Sequence, residues 1–423
     1  MIVRSLFSGR KTFFLKIEGR SMLPLLHPAD VVYFRRVKGR VKIDDIVLVS
    51  KGKRSFVHRV IYNKSFLITK GDNSPVLDGK IKTSQVFGRA YQVKRKGRVF
   101  RIDDLYLFQS THYFQEIIKV KKAFEKLGIN FVFLKGLPIH LYFQKTHPKR
   151  IYADCDVLVA RPDYKKAEKM LFKKGFQKAK TSFSSMHKRL KDKETEIVFY
   201  RNINNFSVVF DLHLEPVFLM NQLGSLNALY PQRLTNKMTE MFLNEKRTVK
   251  INGESFPILS RENLIVYLAL HLFHHNFQGA FRYQLLDTVI RKSFLLRGST
   301  YTQPENVSGF IKNYRLENFV YPVFFLLKKY YRTPFPARFL KSIRPAVKAL
   351  RYFRNNILKI NIFSGGGRVE EGVERFKLIF FLSPNKISRK LLVFLSPQVV
   401  YSVVWVINLR IRRILIRRKP SNP

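Results

Sequence analysis

The hydrophobic period changes once along this chain, and the change limits what it can fold into. Between residues 12 and 94 the apolar residues come in short β-type runs, "DVVYFRRV", "DIVLVS", "FVHRVIY", "FLITKGD" and "VFGRAYQV", separated by Gly, Pro, Asp and Asn. From "YLFQSTHYFQEIIKVKKAFEKLG" onward the spacing is helical, with Gly128 as the expected C-cap. Charge rises at the junction, "KRKGRVFRIDD" over residues 94–104. Since 423 residues exceed one ordinary core, a multidomain chain is expected. The divisions read as a β-rich domain at 1–97, a linker at 98–109, an α+β domain at 110–290, and a helical extension with a basic tail at 291–423.

Within the α+β part, a strand "NFVFLKG", a helix-like "LPIHLYFQK", a strand "DCDVLVA" and a helix "YKKAEKMLFKKG" follow one another. Asp163 and Gly175 are the expected caps of that last helix. After "VVFDLHLEP" the residues from about 217 to 360 read as mostly helical, and "SGGGRVEEG", 364–372, as a flexible loop.

Apolar content of 46% and aromatic content of 14% exclude general disorder. A formal charge of +50 predicts attraction to phosphate-rich or anionic partners, either nucleic acid or an anionic membrane surface. A lysine-rich bias spread over all solvated faces is the plain alternative. The single cysteine, Cys155, rules out an internal disulfide framework and fits a reducing compartment. The first residues have no long apolar run and read as neither signal peptide nor membrane anchor. "LLVFLSPQVVYSVVWVINL", 391–409, is nearly long enough to span a bilayer, but Pro397 would break its helix near the middle. A terminal helix packed on the protein or lying on an anionic surface is the expectation there.

Two groups of residues carry chemistry. In the β-rich half, "IEGRSMLPLLHPADVV" presents Ser21, "VHRVI" presents His58, and "KGDNSPVLD" presents Asp72 and Asp78. A serine attacks a carbonyl only if a base takes its proton, and a histidine with a supporting carboxylate supplies one. Each residue also has a plain reading, as a turn residue or a strand histidine. The succession "GRSMLPLLHPADVV", "DIVLV", "HRVI" and "KGDN" resembles the signal peptidase I family, which includes related self-cleaving repressors of β-rich fold, and is closest to its histidine-using members. The resemblance covers residues 12 to 95 and implies Ser21 as nucleophile and His58 as general base, with Asp72 or Asp78 supporting it.

In "IYADCDVLVARP", Asp154 and Asp156 share one face of a strand while Cys155, Val157 and Val159 point the other way. In "VVFDLHLE" the same alternation puts Asp211 and His213 opposite Phe210, Leu212 and Leu214. Adjacent carboxylates repel unless a cation lies between them, so a divalent metal is the economical reading. The plain alternative has Asp154 opening the strand and pairing with a cation such as Arg150. "FVFLKGLPIHLYF", "RIYADCDVLV", a helix ending "KKGF", and "FDLH" resemble the uncharacterised nucleotidyltransferase family of the DNA polymerase β superfamily. That resemblance implies Asp154 and Asp156 as the metal pair, Asp211 as a third, catalytic carboxylate, and Lys135 and Gly136 at the phosphate-contacting loop. It also implies Mg²⁺ or Mn²⁺ as cofactor and a nucleoside triphosphate as substrate. His271, His274 and His275 lack the glutamate of a zinc protease and read as core or substrate-facing residues, and Asp287 as a candidate cleft residue.

The combined expectation is a bifunctional enzyme that transfers NMP to an unidentified acceptor (protein, RNA or small molecule) and carries a Ser-His peptidase-like domain for self-cleavage or peptide processing. With no spanning segment between the two halves, both face the same side, expected to be the cytoplasm, with peripheral membrane contact through the C-terminus. The alternatives are a catalytically decayed module that binds nucleic acid or a membrane surface, and a toxin-like transferase acting on tRNA.

Overall fold

The computed structural model describes residues 11–37, 39–52, 54–74, 76–143, 154–179, 195–203, 206–216, 218–220, 225–294, 302–363, 368–401, 404 and 408. In the first sheet are β1 (Thr12–Lys16), β2 (Val31–Arg36), β3 (Ile46–Lys51), β4 (Arg54–Asn63), β5 (Leu67–Lys70), β6 (Lys80–Ile81), β7 (Val86–Arg95) and β8 (Arg98–Arg101). They run in the order β1-β2-β7-β3-β4-β5-β6, all antiparallel, with β8 on β7. The unbroken apolar run of β3 is explained by burial on both faces. Ile46 and Leu48 pack with Phe34 and Val93, whereas Val47 and Val49 pack with Val60 and Ile81.

The stretch 98–109, expected as a linker, is strand and helix: Arg98–Arg101 pairs with β7, and α1 (Ile102–Lys126) starts at the next residue. Its arginines lie on an exposed strand, and solvated basic residues look alike in a linker and on a sheet edge. Ile102 and Leu105 of α1 pack into the β-domain core, while Tyr113, Ile117, Val120 and Phe124 enter the core of the second domain. The helix closes as expected at Gly128, whose φ of +63° suits glycine.

The second sheet contains β9 (Phe131–Phe133), β10 (Cys155–Val159), β11 (Gln177–Lys178), β12 (Glu196–Ile203), β13 (Phe206–His213), β14 (Arg247–Ile251) and β15 (Glu254–Ile258), in the order β11-β12-β13-β10-β9-β15-β14. Strand β10 runs parallel to β13, and β15 parallel to β9. Helices α2 (Gly136–Phe143), α3 (Tyr164–Lys173) and α4 (Gln232–Asn244) interrupt the strands. One face of the sheet, with Val157, Phe210 and Leu212, packs against α1 and α3. The other sends Val132, Leu134 and Leu158 into the helical core. Asp163 does not cap α3; its Oδ2 accepts the Asn130 N–H at 2.9 Å.

The hairpin β14–β15 falls within the stretch expected to be mostly helical. Asn252 and Gly253 at its turn have φ of +49° and +79°, the positive angles that an Asn-Gly hairpin turn requires. The remaining helices are α5 (Arg261–His274), α6 (Ala280–Phe294), α7 (Pro304–Asn313), α8 (Glu317–Tyr331), α9 (Phe339–Ser342), α10 (Val347–Asn355), α11 (Arg368–Leu382) and α12 (Ile387–Leu391). All of them except α12, which buries no residue, contribute to one core running from Leu264 to Val399, so the helices after residue 291 are no separate extension. The expected loop at 364–372 is helix from Arg368 onward; residues 364–367 lie outside the described ones. Tyr62 and Ile68 of the β4–β5 hairpin join the same core, and Lys64 Nζ donates to the Tyr331 carbonyl at 3.0 Å. The first sheet is thereby packed on the helical layer.

Candidate active sites

In the β-rich domain the loop between β1 and β2 presents Ser21, and β4 presents His58. The Ser21 hydroxyl is 2.9 Å from His58 Nε2, and His58 Nδ1 is 2.6 Å from Asp78 Oδ2. Thr69 donates its hydroxyl to the same Asp78 oxygen at 2.7 Å, and Lys51 Nζ donates to the Asp78 carbonyl at 2.9 Å. A hydroxyl, an imidazole and a carboxylate in series form the hydrogen-bonded chain that serine activation requires.

Of the two candidate aspartates, the structure brings only Asp78 to His58. Asp72 is engaged by Arg59, whose Nε and NH2 donate to its two oxygens at 2.7 and 2.8 Å. The pair is buried and lies beneath Tyr106 of α1, 5.0 Å from the guanidinium to the ring. Asp30 is likewise structural, held by Arg95 at 2.7 Å. Gly71, in the "KGDN" stretch, was not singled out by sequence reasoning. A Cβ there would lie 2.6 Å from the Ser21 carbonyl and 2.9 Å from His58 Nε2, so only glycine allows the two loops to approach. Gly71→Ala is expected to push His58 from Ser21 and to cut serine reactivity at least about a hundredfold, with melting temperature as the control for folding.

In the second domain the parallel register of β10 and β13 sets Asp156 directly beside Asp211. Alternation then brings His213 to the same face. Its Nε2 is 3.1 Å from Asp156 Oδ1 and 3.7 Å from Asp211 Oδ2. Ligand atoms of Asp156, Asp211 and His213 all lie within 4.8 Å of one another, and all three residues are buried. Asp154 precedes the strand, is exposed, and does not join this group, so the expected Asp154–Asp156 pair becomes Asp156–Asp211 with His213. Arg150 lies outside the described residues.

Lys135, at φ +53° just before α2, points its ammonium at Asp156 Oδ1, 2.5 Å away. Its expected place at the phosphates is therefore shared with a carboxylate, while Gly136 opens α2. Burial raises the Asp156 carboxyl, but Lys135 and His213 overcome it and hold it down to about 2. The opposite balance holds at Asp211, where burial and the neighbouring carboxylates Glu196 and Asp156 push the carboxyl well above its usual range, against the pull of His213. Glu196 shares a side-chain hydrogen bond with Asp211, which requires a proton between them.

A divalent cation fits this donor set. Among the described residues, Asp211 Oδ1 and His213 Nδ1 are buried with no hydrogen-bond partner, and two carboxylates with an imidazole are a donor set for a divalent cation. Because its folded carboxyl titrates above the unfolded one, Asp211 favours the fold only at low pH. That contribution is lost as pH rises from the unfolded value through the folded one. Asp211→Asn is therefore expected to melt a few degrees higher than the wild type at neutral pH without metal, and to lose any gain from added Mg²⁺; differential scanning calorimetry measures both.

Tyr267 of α5 is buried close enough to Lys135, Asp156, Glu196 and Asp211 to sense their charges, and His271 senses that of Lys135. The three histidines do not form a ligand set. His271 Nε2 and His275 Nε2 are 3.1 Å apart, and Arg375 donates to His274 Nε2 at 3.2 Å. Burial, with Lys135 and Arg282 nearby, holds all three well below the ordinary histidine range, helped by Arg375 at His274 and His275, so they are neutral. Asp287 does not line the cleft; Arg291 and the Thr333 hydroxyl bind it at 2.9 and 2.6 Å.

Residues 104–331, a little over half of the chain, match the model of a family described as uncharacterised nucleotidyltransferase. The chain belongs to this family. The match includes Lys135, Asp156, Asp211 and His213, so this nucleotidyltransferase-family domain carries the carboxylate cluster, and the Ser21 site lies before it. Similar solved structures include that of the antibiotic-resistance factor ANT(2'')-Ia, 10% identical, covering 53% of this chain and 98% of that one at a TM-score of 0.29. Another is an antigenic nucleotidyltransferase-like protein from Paracoccidioides brasiliensis, 13% identical, covering 59% and 97% at a TM-score of 0.30. No curated protein matches the chain. Sequence reasoning for this nucleotidyltransferase left His213 outside the ligand set and missed Glu196 and Tyr267. The first was legible from its Asp-x-His spacing; the others depend on strand pairing and helix docking.

Proposed function

We propose that the chain transfers a nucleotidyl group from a nucleoside triphosphate to an acceptor hydroxyl or phosphate at the Asp156–Asp211–His213 cluster. The observation that carries this reading is the convergence of those three buried side chains, with an unpartnered Asp211 oxygen, inside the family-matched region. In the reaction the acceptor oxygen attacks the α-phosphorus, an O–P bond forms, and the bond to the leaving pyrophosphate breaks. Lys135 supplies positive charge toward the triphosphate. His213 orients Asp156, and Asp211 in its ionised form accepts the proton of the acceptor. A divalent ion bound by Asp156, Asp211 and His213 would neutralise phosphate charge and acidify the acceptor hydroxyl. The test is label transfer from each α-labelled triphosphate, with Mg²⁺ or Mn²⁺ and a cell extract as acceptor. Label in protein, tRNA or small molecules identifies the acceptor class; no label under any condition counts against the reading and favours a binding module.

A second activity is favoured by the Ser21–His58–Asp78 chain of hydrogen bonds. We infer a serine peptidase-like site in which His58 takes the Ser21 proton through Nε2 and Asp78 holds Nδ1–H, acting on this chain itself or on a peptide.

A further inference from the structure

The segment after α11 carries a surface that neither site uses. Ile387, Leu391, Leu392, Phe394 and Leu395 are all exposed, Leu395 at 75% and Ile387 at 60%, and Phe381 of α11 extends the patch. The segment is nonetheless anchored, because Val393 and Val399 are buried in the helical core. Its outward side is therefore an anchored face of clustered exposed apolar side chains.

The charge interleaved with this face is positive, and Glu374 of α11, the acid closest to it in the sequence, is paired with Lys377 at 2.9 Å. Lys386, Arg389 and Lys390 interleave with the apolar residues, and Lys348 of α10 lies close enough to Lys390 to repel its charge. The α10 neighbourhood packs on α11 through Tyr352 and Phe381, whose rings stack at 4.7 Å. Next to it Arg344, Arg351 and Arg354 line a cavity of about 560 Å³ beside Val347, itself 75% exposed. No Asp or Glu follows Glu374 in the sequence, and none occurs between Glu317 and Glu370.

We propose that this face docks on an anionic lipid bilayer surface, with Ile387, Leu391, Leu392 and Leu395 entering the acyl boundary and the surrounding cations meeting the headgroups. Two features have a counterpart in such a surface: exposed apolar side chains and the basic residues interleaved with them. RNA would answer the charge but leave the leucines in water. A second copy of a chain at +50 would answer the leucines but bring like charges together. Among the described residues no helix is long and apolar enough to cross a membrane, and the segment breaks at Ser396, so the contact lies along the surface.

The test is sedimentation of the full chain with vesicles of phosphatidylcholine alone or with about a third phosphatidylglycerol, at low and high salt. The expected result is binding to the anionic vesicles, weakened by salt, and little binding to neutral ones. Leu391→Asp with Leu395→Asp should cut binding at least about tenfold with an unchanged melting temperature. The single change Leu395→Ser, at so exposed a site, should weaken binding without threatening the fold. Equal binding by these variants and the wild type would overturn the proposal. So would absence of binding to anionic vesicles, or a dimer in analytical ultracentrifugation that the same variants dissolve. Binding to RNA that the leucine variants leave intact, without vesicle binding, would assign the charge to nucleic acid instead.

Discussion

Asp156→Ala is expected to abolish nucleotidyl transfer, with a loss of at least about a thousandfold in turnover at saturating triphosphate. Asp156 is the side chain on which the site converges: Lys135 and His213 both bind its Oδ1, and Asp211 is its partner across the strands. Removing it leaves Lys135 a buried cation without its partner and takes away a charged ligand atom. Asp154→Ala, at an exposed position outside the cluster, should lose much less. The comparison is made in one label-transfer assay, with Ser21→Ala as the third chain and expected to keep wild-type transfer. Equal loss in Asp154→Ala and Asp156→Ala would move the centre of the site to the strand's exposed end. Loss in Ser21→Ala would end the two-site reading.

The second large effect is expected at the serine. A fluorophosphonate probe, which reports an activated hydroxyl, should label the wild type at Ser21 and leave Ser21→Ala unlabelled. His58→Ala should slow labelling about ten-thousandfold, and Asp78→Asn should also slow it strongly, because each breaks the hydrogen-bonded series at a different atom. Asp72→Asn gives the contrast. It weakens a buried Arg59 pair and should lower the melting temperature, while His58 keeps Asp78 and labelling persists in the folded fraction. Labelling of Ser21→Ala at wild-type rate, or equal effects of the two aspartates, would remove the peptidase assignment.

How far these sites could be read in the sequence depends on the range of the interaction. Alternation along a strand is local, so the inward faces of 155–159 and 208–214 were legible, and Cys155, Val157, Phe210 and Leu212 lie where the pattern puts them. The same alternation gave Asp154 the side of Asp156 but could not tell that the strand begins at Cys155, which leaves Asp154 exposed. The pairing of Asp156 with Asp211 is a matter of register between two strands far apart in sequence, and nothing local specifies it. Asp72 and Asp78 are equivalent as turn residues. Arg59 decides between them by claiming the first, and its reach is set by packing under α1. Lys135 shows the same limit, since its left-handed backbone, invisible in "FLKGLP", turns it onto Asp156.

Helix α1 belongs to both cores at once, and this constrains how the chain can change over evolutionary time. Its first turns are fixed by the β-rich domain and its later turns by the nucleotidyltransferase sheet, with exposed Leu107 and Phe108 between. An inserted residue at that crossing would rotate one half against the other by about 100° and advance it by about 1.5 Å. The two candidate sites are therefore not beads on a string that recombination can exchange freely. They are phased like two cams on one shaft, and a substitute for either half must reproduce the helix face and length that the other half already holds.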